Sequence, residues 1–325
     1  MPGSAGGDWT CLLCGSRRNT LVIRGPDYEY ACAPGPFTLV QCEQCGHVSL
    51  DPIPKAEDVA ALYPPTYYTV NPDSPLYLQG FIYETKIRRD VERIATYTDL
   101  RKLGSIVDIG CGDAARLFQL RKTLPNVECI GLDFQFRQDI EERARRDRIS
   151  LIVGSEDDLS GLRESAHDFM IMSQSLEHLR DPISVLERLR TKLTRRGFLL
   201  IETPHRGGLD YLLFRKRYWG GYHLPRHFHL FTKDALAKAA QRVGFRVVRQ
   251  GSLPSPGFWI MSLRNLLGLN SRTRGRSVFE FLNFSNLLAV GGFTVLDLAW
   301  ITLGMPTSNQ FLLLQIDDRN SAPGA

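Results

Sequence analysis

The sequence predicts an α/β protein built on a seven-stranded sheet, with a small cysteine-organised unit ahead of it. Three observations carry this. From residue 105 onward, short β-branched or apolar runs alternate with helical segments, the pattern of βαβ units and a parallel sheet. A glycine turn, Gly110-Cys111-Gly112, stands where the first of those runs gives way to a helix. Two Cys-x-x-Cys-Gly doublets fall within residues 1–50.

In chain order, residues 1–50 read as short strands and turns arranged around the cysteines. Residues 51–104 read as a linker and helical cap: a Pro- and Tyr-rich passage with one or two helical turns, then apolar residues at helical spacing over 81–103. The core spans 105–256, with strands expected at 105–110, 127–133, 150–154, 168–173, 198–204 and 244–250, and helices such as 116–124 and 181–193 between them. An apolar helical insertion over 257–308 separates the sixth strand from the seventh, 310–316, which lies in the closing segment 309–325. That insertion is longer than an ordinary connection of about 4–6 residues.

Composition narrows the function classes. Hydrophobic residues make up 43% and charged residues 23%, ordinary for a water-soluble domain. The net charge of +5 is mild and not gathered into a run, which argues against nucleic acid as the partner. The start, "MPGSAGGDWT", lacks a basic segment followed by an apolar one, so no signal peptide is read and a cytoplasmic location is expected. Seven cysteines, an odd number with two close doublets, fit a reducing compartment and a metal better than disulfides.

Each doublet puts two thiolates on one tight turn, so Cys11, Cys14, Cys42 and Cys45 can converge tetrahedrally on a structural Zn²⁺, with the residues between them looping out as a hairpin. A redox dithiol is the alternative, which two doublets fit less well. In the core, Gly110 and Gly112 let a ligand approach the N–H groups that open the next helix, and Asp133, about twenty residues on, is placed to accept ribose hydroxyls. Asp108 just before the turn would repel a pyrophosphate and suits a cationic group such as an amino-acid ammonium.

These residues resemble the S-adenosylmethionine (SAM) site of class I methyltransferases. The likeness runs in order through "VGSEDDL", "HDFMIMSQSLEHLRDP" and "RRGFLLIETPH", covering about residues 81–316. It implies a Rossmann-like sheet whose last strand is antiparallel. It further implies that Asp108 and Gly110 line the methionine end, Gly112 supports the turn, and Asp133 holds the ribose. Ser155 and Glu156 would flank the adenine, with Ser173 and Gln174 beside the cofactor. With the cysteine doublets, "DPIPKAEDVAALYPPTYYT" and "PRHFHLF", nearly the whole chain resembles a bacterial subgroup that carries a zinc-ribbon-like N-terminus. Many of its members are found with sugar and surface-polysaccharide biosynthesis.

The acceptor side is read from "HRGGLDYLLFRKRYWGGYHLPRHFHLF", residues 205–231, which trails the fifth strand and mixes cations with aromatics. Arg226 is expected to grip an anionic group and His227 to lie near the transferring methyl, with His178 and His205 as further candidates for the base. His229, Trp219 and Tyr222 would complete the substrate surface. The expected reaction is methyl transfer to a hydroxyl, or a carbon, of a small or glycan-like acceptor bearing phosphate. Two other readings stand beside it. In "QSLEH", Glu177 and His178 match part of the Glu-x-x-Glu-His metal motif of ubiquinone-pathway and small-RNA methyltransferases, but Gln174 replaces the first glutamate. A non-catalytic SAM-binding interaction protein is the third reading. The 257–308 insertion is expected to form a helical hairpin serving as lid, homodimer contact or peripheral membrane contact rather than a span, because Asp297 lies in its longest apolar run.

Overall fold

The computed structural model describes residues 9–65, 67, 79–155, 157–268 and 281–317. Its main sheet has all seven expected strands: β4 (Ser105–Ile109), β5 (Glu128–Asp133), β6 (Ser150–Val153), β7 (His167–Ser173), β8 (Leu193–Pro204), β10 (Phe245–Leu253) and β11 (Asn309–Ile316). Across the sheet the order is β10-β11-β8-β7-β4-β5-β6. The β4, β5, β6, β7 and β8 strands pair in parallel, while β11 runs antiparallel to both β8 and β10, as the resemblance implied. The central strands are apolar on both faces because helices cover both. All five residues of β4 are buried, and Val107 and Ile109 face one core cluster while Ile106 faces the other.

Helices α3 (Ala115–Thr123), α4 (Gln138–Arg146), α5 (Pro182–Lys192) and α7 (Lys233–Arg242) follow their strands as the pattern predicts. The α5 start is fixed by Asp181, which accepts from Ile183 N and Ser184 N ahead of Pro182 at the first helical position. The helix expected over 81–103 is shorter, α2 (Gly80–Ile94). Thr96 Oγ1 donates to Arg93 O and Asp99 caps a separate turn at Leu100–Lys102, so local side-chain bonds end the helix before its apolar spacing does.

Ahead of the core, β1 (Asn19–Gly25) and β2 (Phe37–Cys42) form the hairpin expected between the cysteine doublets, and β3 (Val48–Asp51) pairs with β2. The linker yields one short helix, α1 (Ala56–Val59). The fourth strand of this small sheet comes from far along the chain: β9 (His229–Leu230) pairs with β3. Hydrogen bonds therefore cross the expected boundary at residue 50. So does the core, since Trp9, Cys11, Leu13, Val40 and Cys42 belong to the same buried cluster as Met172, Leu176 and Phe231.

After β8 come α6 (Leu209–Phe214) and a turn at Gly220–Tyr222, and between β10 and β11 stand α8 (Pro256–Leu267) and α9 (Leu287–Thr302). The described part of the insertion includes these two helices, with Asp297 turned inward and buried: its carboxylate accepts from Ser255 N at 2.6 Å and Trp259 Nε1 at 2.9 Å.

Candidate functional site

Adjacent parallel strands β6, β5, β4 and β7 end at one edge, and the described cofactor candidates stand at those strand ends (Asp108, Asp133, Ser173) or on the loops just beyond them (Gly110, Gly112, Ser155, Gln174). Gly110 (φ 68°) and Gly112 (φ 57°) take the left-handed region, as does Ala114 (φ 55°), the last residue before α3. A Cβ built on Gly112 would meet nothing within 4 Å, so the turn leaves space in front of its backbone for a ligand. Asp133 closes the turn: Oδ2 accepts from Gly112 N at 2.7 Å and Oδ1 from Phe134 N at 2.8 Å. Burial pushes its carboxyl up while those N–H groups pull it down. Open backbone beside a fixed carboxylate fits the ribose and methionine portions of SAM.

Asp108 is not available to a ligand's ammonium group. It is 1% exposed, and Arg116 Nη1 from α3 reaches both of its oxygens, at 3.0 and 2.8 Å. A buried carboxylate needs a compensating charge, and the next helix supplies one internally. This corrects its expected role to support of the turn. Ser173 Oγ donates to Glu202 Oε2 at 2.6 Å, and Arg93 pairs with the other oxygen of Glu202. Gln174, at φ 56°, donates to Asn309 Oδ1 and leaves β7 at the same edge. Ser155 follows β6 and caps Asp157 N. Glu156 lies outside the described residues.

On the acceptor side, His178 and His227 come together with ring centroids 4.8 Å apart, and the His223 ring lies 4.9 Å from that of His227. His178 Nδ1 faces Arg226 O at 3.0 Å, and His227 Nδ1 faces Gly221 O at 2.9 Å. Carbonyls only accept, so both Nδ1 atoms carry the proton and both Nε2 atoms keep a lone pair. Burial, with neighbouring histidines, pushes His178 down to about 3 and His227 well below the usual histidine range. Buried Glu177 accepts from Thr203 Oγ1 at 3.0 Å, while its Oε1 has no hydrogen-bond partner among the described residues and sits 3.9 Å from His227 Nε2. Burial raises the Glu177 carboxyl to about 8. One ligand atom each from Glu177, His178 and His227 lies within 4.8 Å of the others, a donor set that could hold a metal ion. His205 is bonded elsewhere: its Nδ1 faces Thr307 O, and burial lowers it to about 4.

Four expected substrate contacts are corrected. Arg226 is fully buried and already has an anion, Asp27, which accepts from Nη1 at 3.1 Å and Nη2 at 2.8 Å. Its remaining donors reach Leu62 O, Leu224 O and Cys32 Sγ, and Tyr30 stacks beneath it. Though burial pushes it up, the guanidinium holds the Asp27 carboxyl down at about 2. His229 is buried in β9, with Nδ1 3.0 Å from His47 Nε2. Trp219 donates to buried Asp210, and Tyr222 to Arg215 O. These four side chains are all buried in the fold, with only His229 Nε2 among their polar atoms lacking a hydrogen-bond partner within the described residues. In their place stands a cleft of about 320 Å³ lined by Tyr63, Pro64, Pro65, Tyr67, Phe134 and Gln135. It adjoins Asp133 through Phe134, and the histidines through Tyr63, whose hydroxyl is 3.1 Å from His178 Nδ1. Sequence reasoning assigned these tyrosines to a linker. Their clustering in "LYPPTYY" was the only signal.

The four doublet cysteines also meet. Cys11 Sγ lies 3.5 Å from Cys45 Sγ and Cys14 Sγ 3.5 Å from Cys42 Sγ, with all four ligand atoms within 4.8 Å. Gly15 and Gly46, both at φ 72°, donate their N–H to the carbonyls of Cys11 and Cys42, so the two knuckles are alike. This donor set fits a tetrahedral thiolate-bound ion.

A family model described as a methyltransferase domain matches residues 80–250. Among solved structures, a SAM-dependent methyltransferase from Archaeoglobus fulgidus is 16% identical, over 71% of this chain and 94% of its own, with a TM-score of 0.46. Haemonchus contortus phosphoethanolamine N-methyltransferase 2, solved with SAM, is 15% identical over 70% of this chain and 52% of its own, TM-score 0.47. A putative sarcosine dimethylglycine methyltransferase from Galdieria sulphuraria is 16% identical over 72% and 86%, TM-score 0.46. None of the curated proteins matches this chain.

Proposed function

Because the chain belongs to the methyltransferase-domain family, we propose that it uses SAM to methylate a hydroxyl of a small or glycan-like acceptor held in the Tyr63–Tyr67–Phe134 cleft. SAM would supply an electrophilic methyl when bound. Asp133 would hold its ribose, and the open backbone at Gly112 would admit it. The cleft's aromatic faces suit the apolar faces of a sugar ring. The reading is carried by one observation: cleft residue Tyr63 places its hydroxyl 3.1 Å from His178 Nδ1, and behind His178 the buried His227 ring, its Nδ1 facing Gly221 O, lies 4.8 Å away between centroids. An unprotonated imidazole in this group can accept the hydroxyl proton as the oxygen attacks, and the burial that keeps His227 neutral also lowers its basicity, so approach of the acceptor has to raise it. Zn²⁺ on Cys11, Cys14, Cys42 and Cys45 would be structural, because four thiolates leave no open position for chemistry. A phosphate on the acceptor loses its motive now that Arg226 binds Asp27.

Calorimetry tests the cofactor half: Asp133→Ala should fold and lose SAM affinity by roughly 10- to 100-fold, the value of a charged hydrogen bond of about 1.5–3 kcal/mol. An unchanged Kd refutes the assignment. With an acceptor found among co-purified small molecules by mass spectrometry, His227→Asn should lower kcat while leaving SAM affinity intact. The convergence of Glu177, His178 and His227 supports a second reading, metal-assisted O-methylation. There, activity would vanish with chelator and return with a divalent ion.

A further inference from the structure

Helix α9 is inverted for a surface helix. Of its sixteen residues only Ala289 and Asp297 are buried, so its one charged side chain points inward. Leu288, Val295 and Leu298, spaced along the opposite face, stand 76%, 67% and 45% exposed. A helix covered by water normally shows the reverse pattern. The helix leans on α8, and α6 leans on the same α8 and adds exposed Leu212 and Leu213 to the surface. Contiguous apolar surface of this kind marks an interaction site.

The exposed charges of the described segments that build it are basic. Arg215, Lys216 and Arg217 follow α6 directly and are exposed. Among the described residues of 256–305 the only acid is the buried Asp297, and within α6 the only acid is the buried Asp210. In sequence, the stretch joining α8 to α9 adds Arg272, Arg274 and Arg276 against Glu280. Leucines projecting beyond a cationic rim complement the acyl boundary and the anionic headgroups of a bilayer. A two-fold contact between copies would instead set like charges near one another. No described helix is long and apolar enough to cross a membrane, and α9 spans only about 24 Å at 1.5 Å per residue, so contact lies in the interface plane.

We propose that the face built by α6, α8 and α9 docks this protein on an anionic lipid surface. The inference is independent of the acceptor's identity. Sedimentation with vesicles tests it. The protein should bind vesicles of mixed phosphatidylglycerol and phosphatidylcholine at least about tenfold more tightly than phosphatidylcholine alone, with the difference shrinking at high salt. Val295→Glu with Leu298→Glu should reduce binding at least about tenfold, and Arg215→Glu with Lys216→Glu should remove the preference for anionic lipid, both with unchanged melting. Should the first pair fail to fold, Leu288→Ser with Leu303→Ser replaces it. Absence of binding to either vesicle overturns the proposal, as does equal binding to both. A dimer in sedimentation equilibrium that Val295→Glu dissociates, without vesicle binding, would assign the face to a second copy instead.

Discussion

Arg226 and Asp27 are each fully enclosed, so neither can lose its partner without leaving a charge that water cannot reach. Truncation of one member of such a pair costs about 3–5 kcal/mol, and we expect Arg226→Ala to lose that much in urea unfolding. Arg226→Lys should recover only part, because an ammonium cannot make the paired contact to both carboxylate oxygens. The same pair sets an acid limb. Asp27 is depressed to about 2 in the folded chain, against about 3.9 when unfolded. Its contribution is therefore complete above pH ~4 and is lost as pH falls from about 4 toward 2. Unfolding free energy measured across that window should fall less steeply in Asp27→Asn than in the parent. None of this was visible in "HLPRHFHL". An arginine among aromatics reads equally as a ligand grip or as a buried ion, and the carboxylate that decides between them lies 199 residues upstream. Asp108 was misread for the converse reason: its neutralising arginine is eight residues ahead, but on a helix whose sense of facing the sequence does not reveal.

At the level of elements, the strands with regular apolar character were legible because burial on both faces writes itself into composition, and the glycine turn was legible because it needs φ > 0 between a strand and a helix. The two-residue strand β9 was not, since two residues have no period. Yet β9 carries a consequence for the cysteine centre. The sheet β1-β2-β3-β9 is too small to stand without further support, and Cys42 ends β2 while Cys45 opens the turn into β3. Cys42→Ser should therefore release amide hydrogen-exchange protection in β1, β2 and β3 and also in 223–231, with β4, β5 and β7 unchanged. Protection that persists in 223–231 would show that the distant strand holds without the cysteine knuckles. The α9 helix was legible as apolar but not as inverted, because only the inward turn of Asp297 decides which face is outer.

For the molecule as a whole, the site follows from the sheet: ligands of open α/β sheets collect beyond the carboxyl ends of the strands, and the described residues read for the cofactor stand at that edge. The Tyr63–Tyr67–Phe134 cleft was not legible because its walls come from two separated parts of the chain, the linker and the segment that leaves β5. The pairing of β3 with β9, and of His47 with His229 across 182 residues, also gives the chain an order in time. A ribosome delivers the cysteine unit ahead of the core, at roughly 5–20 residues per second. Its last strand, and the cation that neutralises Asp27, emerge only after about 180 further residues. For that interval of about 10–40 seconds the cysteine unit waits with an open strand edge and an unanswered carboxylate. The cysteine unit, made before the core, thus closes only after the core has emerged, and its open strand edge must be shielded in the nascent chain until then.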